Sequence, residues 1–264
     1  MKKYFVIGNP IDHSLSPKLH NHWFKVNKID ATYNKKKIDE NDLKTIISEL
    51  REKKINGINV TVPFKKAVIP YLDKLSPDAE QTQSVNTIIL NNDTLVGHNT
   101  DVSGFTQAIK NLNFNIEDKK IFILGAGGVV YSIIYALNKM NVSKIIVSNR
   151  TKQKAEDLKS QFGIINVLDW GNIPKFDMII NATSLGLKNE VINLNFSNIG
   201  DNKLFYDVIY NPSETNFLKE GKKLGNRSEN GKLMFVYQAL EAFKLWHGIE
   251  PDINADILKL LHND

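Results

Sequence analysis

Lys65 closes the stretch Asn59–Lys65 (NVTVPFK), just past what reads as the end of a β-strand. Active sites of open α/β sheets gather at such strand ends. Asp101 follows the second of two Asn-Thr pairs, Asn86-Thr87 and Asn99-Thr100. A lysine oriented by a carboxylate can deliver a proton to a carbonyl oxygen as a hydride arrives. Taken singly, the bland readings are the stronger ones. A lysine after proline and phenylalanine usually lies at the surface, and an aspartate in that position usually caps a helix. Ser14 and Ser16, in Ile11–Ser16 (IDHSLS), place two hydroxyls in a loop before a helix. They could hold a carboxylate, or Ser16 could serve as a helix cap.

A second set of residues is suited to phosphate. Lys119–Leu137 reads KKIFILGAGGVVYSIIYAL, an apolar run, a glycine cluster (Gly125, Gly127, Gly128) and a second apolar run. This is the pattern of a buried parallel strand, a tight turn and a helix with Val130, Ile133, Ile134 and Leu137 on one face. A helix N-terminus opened by glycines offers backbone N–H groups and a favourable dipole to a pyrophosphate. Val130 stands where the full fingerprint has its third glycine, so the motif alone is also compatible with an ordinary strand-to-helix turn. The next strand ends in Val147, followed by Ser148-Asn149-Arg150-Thr151 and then Lys154. An acidic residue there favours NAD and a basic one accommodates the 2′-phosphate of NADP. Nothing acidic is present, and Arg150 can meet a phosphate bidentately, so NADP is preferred to NAD. The competing reading is a solvated Arg-Lys surface.

Alternating strands and helices must position these groups, which makes the chain an α/β protein with a mostly parallel sheet. Lys3–Gly8, Ala31–Ile38 and Gly57–Val62 read as strands. Helices are expected from Ser16 to about Asn27, with Ser16 as N-cap and Pro17 at the first helical position, and over Asp42–Lys54. Thr87–Leu90 and Thr94–Gly97 flank Asn91-Asn92-Asp93, a strong hairpin turn. The symmetry of that hairpin sets Asn86 opposite Asn99 and leaves Asp101 between it and a helix around Gly104–Leu112. A second domain is expected to begin between about 102 and 119. Its strands are Ile121–Leu124, Lys144–Val147, Ile164–Leu168, Met178–Asn181 and Leu204–Val208, with a helix over Thr151–Phe162 capped by Thr151. Leu233–Trp246 and Ile253–Leu261 read as the last helices, which could pack back on the first domain.

The 264 residues are 42% hydrophobic, as in an ordinary globular protein, and the net charge is +5. The lysines are scattered in pairs with one triplet, Lys35–Lys37, and no basic block with interleaved aromatics suggests a nucleic-acid face. Anionic small molecules are natural partners for such a surface. The absence of cysteine excludes disulfides and thiolate chemistry and fits a reducing cytoplasm. The six histidines show no metal-ligand spacing. Ile121–Leu137 is an uncharged run of 17 residues, but its glycines and Tyr-Ser pair argue against a membrane span. The apolar stretch Tyr4–Ile7 is too short for a signal peptide.

Taken in order, the motifs are Gly8-Asn9-Pro10, His13–Pro17, His20-Asn21, Asn59–Lys65, Val85–Thr87, Asn99–Asp101, Gly125–Gly128, Asn149–Thr151, Asn181–Ser184, Tyr210-Asn211-Pro212 with Thr215, and Val236–Ala239. Together they resemble the shikimate dehydrogenase family over essentially the whole chain. The resemblance implies an N-terminal substrate domain, 1–102 completed by 237–264, and a Rossmann-like NADP-binding domain, 103–236, with the active site in the cleft between them. It implies reversible, NADP-dependent reduction of 3-dehydroshikimate to shikimate in aromatic amino-acid biosynthesis. By position, Ser14 and Ser16 would hold the substrate carboxylate, and Asn59, Thr61, Asn86, Asp101 and Gln238 the ring hydroxyls. Lys65 and Asp101 would form the catalytic pair, and Tyr210 would line the cleft. Gly125, Ala126, Gly127, Gly128 and Val129 would cradle the pyrophosphate. Asn149, Arg150, Thr151 and Lys154 would surround the 2′-phosphate, with Thr183, Val208 and Gly231 completing the cofactor site. No metal, nucleic acid or membrane is implied, and a homodimer is compatible with it. The chain departs from many relatives at Gln83 and Leu233, where they carry glycine, at the bulky Val130, and at His98, where tyrosine is common. The rival readings are a broader quinate/shikimate dehydrogenase using NAD, and a non-catalytic NADP-responsive protein on the same fold.

Overall fold

Strand β1 (Lys2–Gly8) lies between β2 (Ala31–Lys37) and β3 (Gly57–Val60), parallel to both. Its alternation serves two cores. Ile7 joins the aliphatic cluster built with Ile46, Leu50, Ile58 and Val60, against which Phe5 packs. Tyr4 faces the aromatic side, where its ring lies 5.5 Å from Phe24 and 5.0 Å from Trp246. A strand covered on both faces is the condition for parallel pairing. The computed structural model describes residues 1–261.

Two units divide the chain: Met1–Gly104 with the segment from Val236 onward, and Phe105–Phe235. In the first, α1 (Ser16–Val26) and α2 (Leu43–Arg51) connect the three parallel strands. The sheet continues through β4 (Lys74–Leu75), helix α3 (Pro77–Thr82), β5 (Thr87–Asn91) and β6 (Thr94–His98), in the order β2-β1-β3-β5-β6-β4. Strand β5 is antiparallel to β3 and β6, so this sheet is mixed at one side. Thr87 pairs with His98 and Asn91 with Thr94, the register that the turn residues predict. Helix α4 (Thr100–Asn111) follows at once.

The second unit has β7 (Lys120–Leu124), α5 (Gly128–Lys139), β8 (Lys144–Ser148), α6 (Lys152–Phe162), β9 (Ile165–Leu168), β10 (Met178–Asn181), β11 (Leu204–Asp207), α7 (Asn216–Lys223) and β12 (Arg227–Glu229). All six strands are parallel, in the order β12-β11-β10-β7-β8-β9. This is the doubly wound arrangement, whose chain direction switches between β7 and β10 and whose ligands bind at the carboxyl ends there. Val130, Ile133, Ile134 and Leu137 are buried on one face of α5, as their spacing predicts. Helix α8 (Lys232–His247) from Val236 and α9 (Ala255–Leu260) belong to the first unit, where Trp246 Nε1 donates to the Ile88 carbonyl at 3.2 Å.

Several local expectations are corrected. Strand β3 stops at Val60 rather than Val62, because the chain turns so that Phe64 N bonds to Thr61 O. Ser16 is not the cap of α1: Leu15 holds that position with no side-chain bond, and Ser16 is the first helical residue. Asp101 lies in the first turn of α4, not before it. Elements β4, α3, α7 and β12 carry no expectation from sequence. Gln83 takes a left-handed φ of 48° at the end of α3, a conformation that costs glycine least.

Candidate active site

Lys65 and Asp101 meet. Lys65 Nζ donates to Asp101 Oδ2 at 2.5 Å, and the two side chains are 16% and 8% exposed. The local backbone holds each in place. The Lys65 carbonyl accepts from Val85 N, while Thr61 N and Asn9 N tie the preceding turn to Ile7 O and Val62 O. Asp101 N donates to Asn99 Oδ1 at 3.1 Å, so Asn99 is the residue that caps this turn of α4. Asn86 Nδ2 donates to the other carboxylate oxygen of Asp101 at 2.9 Å. The hairpin thus joins the two Asn-Thr pairs as expected: Asn86 Oδ1 accepts from Thr100 N at 2.8 Å, and Asn86 N donates to His98 O.

Asn59 is buried, and its amide is engaged by the protein. Nδ2 donates to Asn86 O at 3.0 Å and to Thr87 Oγ1 at 2.9 Å, while Oδ1 accepts from the Tyr33 hydroxyl at 2.6 Å. Ser14 is half-buried, and its Oγ accepts from Ser16 N at 3.3 Å. Thr61 is half-buried in the Lys65 turn, and Gln238 is half-buried on α8. This set of amides, hydroxyls and one ammonium around a carboxylate suits a polyhydroxylated, anionic small molecule.

The second unit gathers the phosphate-type residues at the switch point. A cavity of about 460 Å³ is lined by Gly125, Ala126, Gly127, Asn149, Arg150, Thr151 and Lys154, with Trp170, Thr183, Val191 and others opposite. Gly125 adopts φ +110°, and a Cβ there would stand 2.7 Å from the Ala182 carbonyl oxygen. At Gly127 and Gly128 a Cβ would meet nothing within 4 Å, so this face of the turn is open. Open glycines at the N-terminus of α5 beside exposed Arg150 and Lys154 fit a dinucleotide carrying an extra phosphate. Thr151 caps α6 by position, with its carbonyl accepting from Asn149 Nδ2 at 2.8 Å rather than through its own hydroxyl. Val130 is fully buried in the core face of α5, so its bulk is a packing feature away from the open face.

Thr183, Val208 and Gly231 lie around a buried carboxylate that sequence reasoning did not single out. Asp207, fully buried, accepts from Asn181 Nδ2 at 3.1 Å, from Thr215 Oγ1 at 2.6 Å and from Ile209 N at 3.0 Å. Burial pushes its carboxyl above the usual range, against the pull of those donors. Asn181 Oδ1 in turn accepts from Thr183 N and Oγ1, and Val208 N donates to Asn181 O. A Cβ at Gly231 would stand 2.2 Å from the Val208 carbonyl oxygen, so only glycine fits that approach. Tyr210 stacks on Phe235 with ring centres 4.5 Å apart. Val129 is half-buried in the first turn of α5. The signal available in sequence was the polar content of β10 and β11, Asn181 and Asp207 closing otherwise apolar strands.

A doubly wound sheet with a glycine turn and a basic strand end defines a dinucleotide-binding protein of Rossmann type, joined here to a unit bearing a lysine–carboxylate pair. Three family models match: the shikimate dehydrogenase substrate binding domain over residues 6–88, shikimate / quinate 5-dehydrogenase over 106–199, and the shikimate 5′-dehydrogenase C-terminal domain over 233–256. The shikimate dehydrogenase (NADP(+)) of Pelagibacter ubique (strain HTCC1062) is 54% identical over 263 residues, 99% of each chain. Among solved structures, shikimate dehydrogenase from Aquifex aeolicus superposes with a TM-score of 0.90 at 35% identity, covering 100% of this chain and 98% of that one. Shikimate 5-dehydrogenase from Thermus thermophilus, solved in complex with NADP(H) and shikimate, gives 0.88 at 31% identity over 96% and 95%. The chain belongs to the shikimate dehydrogenase family. Among the described residues no helix is long and apolar enough to cross a membrane.

Proposed function

We propose that this protein catalyses the reversible, NADP-dependent reduction of 3-dehydroshikimate to shikimate, a step in aromatic amino-acid biosynthesis. The observation that carries the proposal is the Lys65–Asp101 pair, bonded at 2.5 Å and anchored by Asn86 within a nest of neutral hydrogen-bonding side chains. When bound, NADPH supplies the hydride. Gly125, Gly127 and Gly128 would bind the pyrophosphate, with Ala126 and Val129 beside it, and Asn149, Arg150, Thr151 and Lys154 the 2′-phosphate. Thr183, Val208 and Gly231 would complete that site. Lys65 Nζ gives a proton to the substrate's carbonyl oxygen as it becomes a hydroxyl and retrieves it in the oxidative direction. Asp101 Oδ2 keeps the ammonium aimed and balances its charge. Two of the three ammonium protons remain to face substrate while one is held by Asp101. Ser14 and Ser16 bind the carboxylate, and Thr61, Asn86 and Gln238 the ring hydroxyls.

Purified protein given shikimate and NADP(+) should form NADPH, and NADPH with 3-dehydroshikimate should be consumed. Binding of both ligands without turnover would instead favour a non-catalytic, NADP-responsive protein. A cytoplasmic location, suggested by the cysteine-free sequence, and a homodimer, suggested by the family resemblance, belong to the same reading; light scattering at the mass of one chain would remove the dimer.

A further inference from the structure

Tyr33 lies on β2 and is wholly buried, yet nothing in the catalytic account uses it. Its surroundings fix it tightly. Asn21 brackets its backbone, with Nδ2 donating to Tyr33 O at 2.8 Å and Oδ1 accepting from Tyr33 N at 2.9 Å. His20 stacks on its ring, centres 4.3 Å apart and planes within 4°. His20 is fully buried and neither of its ring nitrogens has a partner, so it acts as a flat neutral surface against the phenol. His20-Asn21, a pair singled out in the sequence, is thereby the clamp of Tyr33.

The direction of the hydrogen bonds follows from atom types. A backbone carbonyl only accepts, so the bond to Asn86 O fixes Asn59 Nδ2 as donor and leaves Asn59 Oδ1 as acceptor. The Tyr33 hydroxyl must therefore donate to Asn59 Oδ1. Hydrogens run one way along the series Tyr33, Asn59, Asn86 O. Asn86 also grips Asp101, so the series ends at the catalytic pair.

We propose that Tyr33 is a positioning residue for substrate, locking the Asn59 amide that supports Asn86 and, through Asn86, the Asp101 carboxylate. The proposal rests on the reading of this site as the shikimate site.

Tyr33→Phe removes the hydroxyl and keeps the ring. The KM for shikimate should rise about five- to tenfold, the loss of one neutral hydrogen bond, with the KM for NADP within about twofold of wild type. The Tyr33→Phe and Asn59→Ala effects on shikimate KM should be non-additive in the double variant. An unchanged shikimate KM, equal rises for both substrates, or independent multiplication of the two effects would overturn the proposal. A variant that keeps the hydroxyl guards against misfolding: meta-fluorotyrosine placed at position 33 should shift its fluorine resonance on addition of shikimate but not of NADP(+). No shift with shikimate overturns the proposal. Wild-type protein that fails to turn shikimate over removes both readings, whereas active wild type with an unaltered Tyr33→Phe removes this one alone.

Discussion

Replacing Lys65 with methionine keeps the length of the side chain and deletes the ammonium, so it separates proton delivery from packing. Lys65 Nζ sits 2.5 Å from Asp101 Oδ2, and Asn86 Nδ2 holds the other oxygen at 2.9 Å. Loss of a positioned proton donor reduces rate by roughly 10²- to 10⁴-fold, which is about 3 to 5 kcal/mol of transition-state stabilisation. The binding effect is smaller. One charge-assisted bond to a substrate hydroxyl changes KM by about 10- to 100-fold. The variant also strands the Asp101 carboxylate, 8% exposed, with Asn86 as its remaining side-chain donor among the contacts described. A fully buried pair broken in this way costs about 3–5 kcal/mol. Lys65 keeps 16% exposure, so the loss here should be nearer about 2 kcal/mol. Steady-state kinetics with saturating NADP(+), shikimate affinity by calorimetry and a thermal melt read the three quantities separately. A kcat within about tenfold of wild type, with shikimate still bound, would refute proton delivery by Lys65.

Other perturbations have equally definite outcomes. Arg150→Ala should raise the KM for NADP by about 10- to 100-fold, the value of a charge-assisted contact, and leave that for NAD nearly unchanged; equal effects on both would place the 2′-phosphate elsewhere. Gly231→Ala forces a Cβ to 2.2 Å from the Val208 carbonyl oxygen, an overpacking that should lower Tm by at least about 3 °C; an unchanged melt would contradict the approach seen here. Stability should fall on acidification. Burial pushes His20 down to about 3, and burial with Lys2 nearby pushes His247 down to about 4, so between the ordinary histidine value and these the unfolded chain holds more protons. His20 alone should cost about 2 kcal/mol at about pH 5 relative to neutral pH. Urea midpoints at the two pH values should differ less in His20→Phe than in wild type; equal differences would sink that assignment.

Hairpin register, the α5 core face and the meeting of Asn86 with Asp101 were legible because each follows from local rules. Asn91-Asn92-Asp93 fixes which residues pair, and helical spacing fixes which of Val130, Ile133, Ile134 and Leu137 are buried. The cap of α1 was misread because Ser16-Pro17 satisfies the rule for a start. In the fold Leu15 holds the cap position without a side-chain bond, and the helix begins one residue earlier than that rule predicts. Ser76-Pro77 carries the same signal and is a true start, with Ser76 Oγ accepting from Ala79 N, yet the short polar α3 behind it has no apolar periodicity to reveal it. Tyr33 could not be found from sequence at all. Its partners stand at positions 20, 21 and 59, and only the parallel pairing of β2 with β1 and of β1 with β3 assembles them. Asn59 was legible as a site residue but not as one whose amide is already engaged, since that depends on Tyr33, Thr87 and Asn86 O.

The most direct measurement is kcat/KM for shikimate and quinate, each with NADP(+) and with NAD(+), on one preparation of the purified protein. Lys65, Asp101, Arg150 and Lys154 as arranged here predict that shikimate with NADP(+) gives the highest value. Quinate with NAD(+) in first place, or no turnover in any of the four combinations, would contradict it.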